Sequence, residues 1–174
     1  MAFLQKVFNV VDRLLPARVA YAHCDIPCGI YDPHLAQIAA LTAVRMNQLI
    51  QDVPKPGPDA SEEDSILFSA KMSRYIAVKE QHAELCKHEL RVIWGDYIKP
   101  QHVENFPTVH ELFWKAMQLG SKTRQEVNMQ SAQDLLEATL QIAEIFWKTK
   151  GVETVRQASN QTGGGELVFP VAKS

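Results

Sequence analysis

Apolar residues recur at helical spacing along four stretches of this 174-residue chain, with turn-forming residues between them. The first stretch follows Asp32-Pro33, where Asp suits an N-cap and Pro suits the first helical position. Leu35, Ile38, Leu41, Met46 and Leu49 then carry an apolar stripe to about Asp52, and the proline-rich run 53–58 ends it. Ser61 with Asp64 predicts a capped restart, and nothing breaks helix from there to about Trp94. Ile66, Met72, Ile76, the stem of Lys79, Ala83, Leu90 and Ile93 form the expected inward stripe of this longest helix. Gly95 to Pro107 reads as an irregular loop, rich in aromatic and polar residues and long enough to be functional. Thr108 then opens a shorter helix that Gly120 is expected to end. Ser131 with Asp134 marks the start of a fourth, reaching about Lys150 and burying Leu135, Thr139, Ile142, Ile145 and Phe146.

Four such helices with short to moderate links predict an all-α protein, an up-and-down four-helix bundle in one domain. Residues 151–174, with the run Thr162-Gly-Gly-Gly165, read as a flexible C-terminal tail or a partner-dependent arm. A formal net charge of −2 and the lack of any Lys/Arg-rich block argue against nucleic acid and against an anionic membrane surface as partners. No uncharged stretch approaches the length of a membrane span. Three cysteines, an odd number with no paired framework, favour a reducing compartment or a metal role over a disulfide scaffold.

Residues 1–22 differ from the rest: they are apolar, carry arginine, and end in Ala20-Tyr21-Ala22, a small-x-small pattern just before His23. Asp12 and Arg13 interrupt the apolar run and Arg18 lies close to the cut, so a maturation peptide fits better than a secretory signal. An amphipathic first helix is the competing reading, because Phe3, Val7, Val11 and Leu14 repeat at helical spacing. Cleavage before His23 would give that residue a free α-amine able to bind metal. It would also take a net +2 (Lys6, Arg13 and Arg18 against Asp12) from a chain of −2, leaving −4.

The chemistry concentrates at the start of what remains. His23-Cys24-Asp25-Ile26-Pro27-Cys28-Gly29-Ile30-Tyr31-Asp32-Pro33 places two cysteines and a histidine within six positions of a segment that cannot be a helix interior. Pro27 fixes its own φ and biases Ile26 away from helix, while Gly29 permits a backbone other residues avoid, so both sulfurs can face one ion.

This eleven-residue run resembles the amino-terminal hook of the mature nickel-containing superoxide dismutases. The resemblance continues through Lys79-Glu-Gln-His-Ala-Glu-Leu85, Trp94-Gly-Asp-Tyr-Ile-Lys-Pro100 and Ile145-Phe-Trp-Lys-Thr-Lys150, and so covers roughly residues 23 to 150. It implies a helical bundle bearing an N-terminal metal hook, one nickel ion per subunit, homo-hexamers, a maturation protease acting before His23, and a cytoplasmic enzyme. That enzyme would turn superoxide into dioxygen and hydrogen peroxide by cycling nickel between its trivalent and divalent states. By the same resemblance Cys24 and Cys28 supply thiolates, and the Cys24 amide with the His23 amine and imidazole supplies nitrogen. Thiolates and a deprotonated amide suit a square-planar nickel(II) ion and ease its oxidation.

Tyr31 is implied as the catalytic residue, its hydroxyl folding back toward the open metal face to hold substrate or water. Asp25 would fix the hook by hydrogen bonds, Ile26–Pro27 would be cis, and Tyr97 would lie beside Tyr31. Where many family members carry a Glu and an Arg that orient the axial imidazole, this chain has Ala39 and His82. His82 or a neighbouring subunit is therefore expected to supply the support. Cys86, mid-helix, reads as a buried apolar residue, not a ligand. The competing functional reading is a metal-binding or redox-sensing module in which Cys24 and Cys28 form a reversible disulfide.

Overall fold

The computed structural model describes residues 28–171. Helix α1 spans His34–Asp52 and α2 spans Glu62–Val92. A π turn, Ile93–Tyr97, extends α2 and is followed by the short α3, Pro100–Asn105. Helices α4, Val109–Gln125, and α5, Met129–Thr149, come next, and strands β1, Thr154–Ala158, and β2, Glu166–Pro170, close the described chain.

The four long helices close a ring in which α1 packs on α2 and α5, and α4 packs on α2 and α5. The apolar spacing explains why: Ala36, Ala39, Ala40, Leu41 and Val44 of α1 meet a core of Leu90, Phe113, Leu135, Ile142 and Phe146. Alanines on α1 let its neighbours approach closely, and the aromatic and branched side chains of α4 and α5 fill the space.

Local chemistry sets the helix ends. The N-cap of α1 is Pro33 and its first helical residue His34, each one position later than expected; Asp32, just before the cap, accepts from the His34 N–H at 2.7 Å through Oδ1. At α2, Ser61 Oγ accepts from the Asp64 N–H at 3.1 Å and the Asp64 carboxylate accepts in return from the Ser61 N–H, completing the expected capping box. Helix α5 starts earlier than Ser131: Asn128 is the cap, its Oδ1 accepting from the Ser131 N–H at 3.1 Å.

Four expectations are corrected. Gly120 does not end α4, which runs on to Gln125; a Cβ there would meet Lys87 Cγ at 2.5 Å, so this glycine permits a close approach of α4 to α2. The loop expected over 95–107 is mostly helical, as the π turn and α3. The inward stripe of α2 begins only near Lys79, and Ile66 is 59% exposed. The first turns of α2 extend past the shorter helices that would cover them.

The tail expected to be flexible forms an antiparallel hairpin instead, β1 pairing with β2 from Thr154–Pro170 to Ala158–Glu166. Leu167 and Val168 are buried in the helical core. Glycines 163–165 form its turn, with Gly164 and Gly165 at φ of 71° and 75°, and Gly165 lies against Leu41 and Leu136.

Candidate metal centre

The end of the ring where α1 begins and α5 finishes carries the candidate chemistry. Of the expected ligands, Cys28 is described; His23, Cys24, Asp25 and Pro27, with the cis peptide expected at Ile26–Pro27, lie outside the described residues, as does the leader. Cys28 is exposed. Gly29 turns the chain after it with φ of 73°, and the Ile30 N–H donates toward Cys28 Sγ at 3.5 Å, a contact that steadies a thiolate. The glycine freedom read from the sequence is thus used where the cysteine needs it.

Tyr31 is half-buried, its ring centroid 5.5 Å from that of Tyr97 at a tilt of 53°. The two aromatics expected to be neighbours are neighbours. Tyr97 ends a π turn, in which the Ile98 N–H donates to the Ile93 carbonyl at 3.1 Å, five residues back, and the wider turn changes the direction in which Tyr97 leaves the helix. Nothing in the sequence pattern signalled a π turn, and its Gly95 suggested a loop.

Tyr97 is held from several sides. Thr149 Oγ1 donates to the Phe146 carbonyl at 2.6 Å, which commits its one proton, so the Tyr97 hydroxyl, 2.6 Å from the same oxygen, is the donor of that pair. The Tyr97 ring stacks on His102 at 5.1 Å and tilts against Phe146 at 4.7 Å. Lys150 Nζ lies 5.5 Å from its centroid and 4.6 Å from that of Phe146, placing a cation beside the aromatic floor. Sequence reading assigned Lys150 and His102 no role; the side chains that meet Tyr97 come from three elements, and only the fold joins them.

His82 is not brought to this end. It lies in mid-α2, its Nδ1–H donating to its own helix at Val78 O (2.9 Å), with roughly 16 Å of helix axis between it and Ile93. Ala39 is fully buried in the core and offers no polar group. Cys86 is buried beside Thr139, and burial pushes its thiol up to about 12, which agrees with its exclusion from the site.

The donor chemistry fits nickel as far as it is described. Among the described residues no group of three His, Cys, Asp or Glu side chains could hold a metal ion, so the helical body offers no competing centre. Cys28, exposed and turned by Gly29 beside Tyr31, stands where the hook would meet the body. A family model, nickel-containing superoxide dismutase, matches residues 18–150. The chain belongs to that family. The nickel superoxide dismutases of Streptomyces seoulensis and Streptomyces coelicolor are each 34% identical to it over 142 residues, covering 81% of this chain and 98% of theirs. A native nickel superoxide dismutase structure aligns with a TM-score of 0.63 at 34% identity, covering 74% of this chain and 99% of its own. An apo structure of a nickel superoxide dismutase aligns with a TM-score of 0.60 at 31% identity, covering 71% of this chain and 99% of its own. None of these relatives supports the alternative of a thiol redox-sensing module.

Proposed function

We propose that this member of the nickel superoxide dismutases converts two superoxide anions and two protons into dioxygen and hydrogen peroxide. The observation that carries the reading is the family match over 18–150, joined to an exposed Cys28 at the Tyr31–Tyr97 end of the body. One nickel ion per subunit would be held by the Cys24 and Cys28 thiolates, the Cys24 amide, and the His23 amine and imidazole. Nickel in such a donor set supplies a one-electron couple that takes an electron from one superoxide and returns it to another.

The chain's own groups do the rest. Tyr31 holds substrate or water by its hydroxyl, and Tyr97, its own hydroxyl committed to Thr149, backs the Tyr31 ring. Lys150 adds local positive charge, which favours the approach of an anion to a protein of negative net charge. Asp25 and Pro27 shape the hook. Because His82 lies far along α2, its support of the His23 imidazole would have to come from a second copy; unchanged activity and nickel spectrum in His82→Ala would refute that.

The same reading makes residues 1–22 a propeptide removed before His23, the ring of helices an up-and-down four-helix bundle with an N-terminal hook, and the enzyme a cytoplasmic homo-hexamer. The three-cysteine count supports a reducing compartment. No described helix is long and apolar enough to cross a membrane. The deciding experiment is electron paramagnetic resonance and superoxide decay on nickel-reconstituted protein beginning at His23, compared with the full-length chain. A rhombic nickel(III) signal with nitrogen splitting, and fast decay, are expected in the cut form alone. Equal activity in the uncut chain, or full activity after Cys24→Ser and Cys28→Ser together, overturns the assignment.

A further inference from the structure

The hairpin β1–β2 begins at Thr154, past residue 150 where the family match ends, and so lies outside the matched helical body. Strand β2 packs on α5 and also meets the first turn of α1. Gln37, 1% exposed, spends both ends of its amide on one residue of β2: Nε2 donates to the Val168 carbonyl at 3.2 Å, and Oε1 accepts from the Val168 N–H at 2.7 Å. A third strand would make that same pair of bonds, and a side chain from α1 takes its place. His34 faces the Phe169 ring with centroids 5.9 Å apart.

The other strand grips α5. Arg156 of β1 donates to Glu144 at 2.7 Å and to Glu137 at 2.8 and 3.1 Å. The Val171 N–H donates to the Glu153 carbonyl at 2.8 Å and closes the open end of the hairpin. Helix α1 directly follows residues 28–33, and α5 ends in Thr149, which anchors Tyr97. The hairpin therefore ties together the two helices whose ends set Tyr31 against Tyr97.

We propose that the C-terminal hairpin is a clasp that positions Cys28 and Tyr31: it pins His34 and Gln37 to α5 and so fixes the direction in which the thiol-bearing segment leaves the body. Gln37 and Phe169 are positioning residues; neither is assigned to metal or substrate. A hairpin that served stability alone would act as strongly through its turn, where Gln48 Nε2 donates to the Gly163 carbonyl at 3.0 Å, as through the first turn of α1. The consequence for nickel rests on the function proposed above, whereas the positioning itself can be read in metal-free protein.

The test compares Gln37→Met, which keeps the shape and loses both hydrogen bonds, and Phe169→Ala with Gln48→Met as the control at the turn. Two rates are measured below the melting temperature of every variant. One is iodoacetamide alkylation of Cys28 in metal-free full-length protein, resolved by peptide mass spectrometry. The other is transfer of nickel to a chelator from nickel-loaded protein beginning at His23. Cys86, buried and with its thiol raised, stays out of the first measurement. Phe169→Ala is expected to raise both rates roughly threefold to tenfold, the factor that one lost ring contact gives, and Gln37→Met, which loses two hydrogen bonds, to raise them at least as much. Phe169→Tyr is expected to restore the native rates, and Gln48→Met to leave them unchanged. Native rates in Gln37→Met and Phe169→Ala, or an equal rise in Gln48→Met, overturn the clasp. If Gln37→Met does not fold, the Phe169→Ala and Phe169→Tyr pair, at a half-buried ring, decides the matter. A chain that takes up no nickel would fail the proposed function while the alkylation rates still judge the clasp.

Discussion

Tyr31 and Tyr97 have the same side chain and different tasks, and the hydrogen bond to Thr149 separates them. With its hydroxyl committed, Tyr97 acts through its ring, and Tyr31 carries the proposed polar contact to substrate. Tyr31→Phe is expected to lower kcat by about tenfold or less, the worth of one hydrogen bond, while nickel content measured by mass spectrometry is unchanged. Lys79 shows a second kind of residue-scale demand. It is 1% exposed, and its Nζ donates to the carbonyls of Thr123, Arg124 and Glu126 at 2.5, 2.9 and 2.7 Å, capping the C-terminal end of α4. Burial pushes its ammonium pKa down, against the pull of Glu80 and Glu126. Lys79→Met is expected to leave those carbonyls unsatisfied and to cost about 2–4 kcal/mol in urea unfolding. The sequence showed only that the Lys79 stem falls on an apolar face. The three carbonyls that receive its charge lie more than forty positions away, and no local pattern could name them.

Elements are joined by two ion-pair clusters. Glu84 on α2 meets Arg91 on its own helix and Arg124 on α4, and Glu137 and Glu144 on α5 meet Arg156 on β1. For Glu84, partial burial raises the carboxyl pKa, but its bond to Arg91 and the charges of Arg91, Arg124 and Lys87 outweigh that and hold it below the ordinary glutamate value. For Glu137 the hydrogen bond from Arg156 is the leading cause of the same direction. A carboxyl depressed in the folded state stabilises the fold above its unfolded pKa, and that stability is lost as pH falls through the folded value. The melting temperature is therefore expected to be flat from pH 7 to about 5 and to drop below about 4.5. In Glu137→Gln the drop should be shallower, as a pH series of thermal melts would show. Both carboxylates are more than a third exposed, so salt should weaken the effect. The hairpin that carries Arg156 was legible only as a glycine-rich tail, because its burial depends on a groove between α1 and α5 that exists once those helices have packed.

At the scale of the whole molecule, the core of the body forms without the hook. The described core is built from α1, α2, α4, α5 and β2, and includes none of the proposed ligands. Chelation of nickel is therefore expected to leave the far-UV circular dichroism of the body nearly unchanged while Cys28 becomes more reactive to alkylation. Retained dichroism together with an unchanged Cys28 rate would contradict this separation. The sequence by itself determined the helical body, because a period of 3.6 residues is a local property that survives in any context. It also placed Cys28, Gly29 and Tyr31 in one turn, because residues so close in the chain need no fold to meet. Only the tertiary structure decided that Gly120 lies inside a helix, that Ile66 faces outward, that Tyr97 ends a π turn beside Tyr31, and that the last strand locks onto Gln37. Each of these depends on which surfaces distant segments present to one another, and that information arises only when the helices pack.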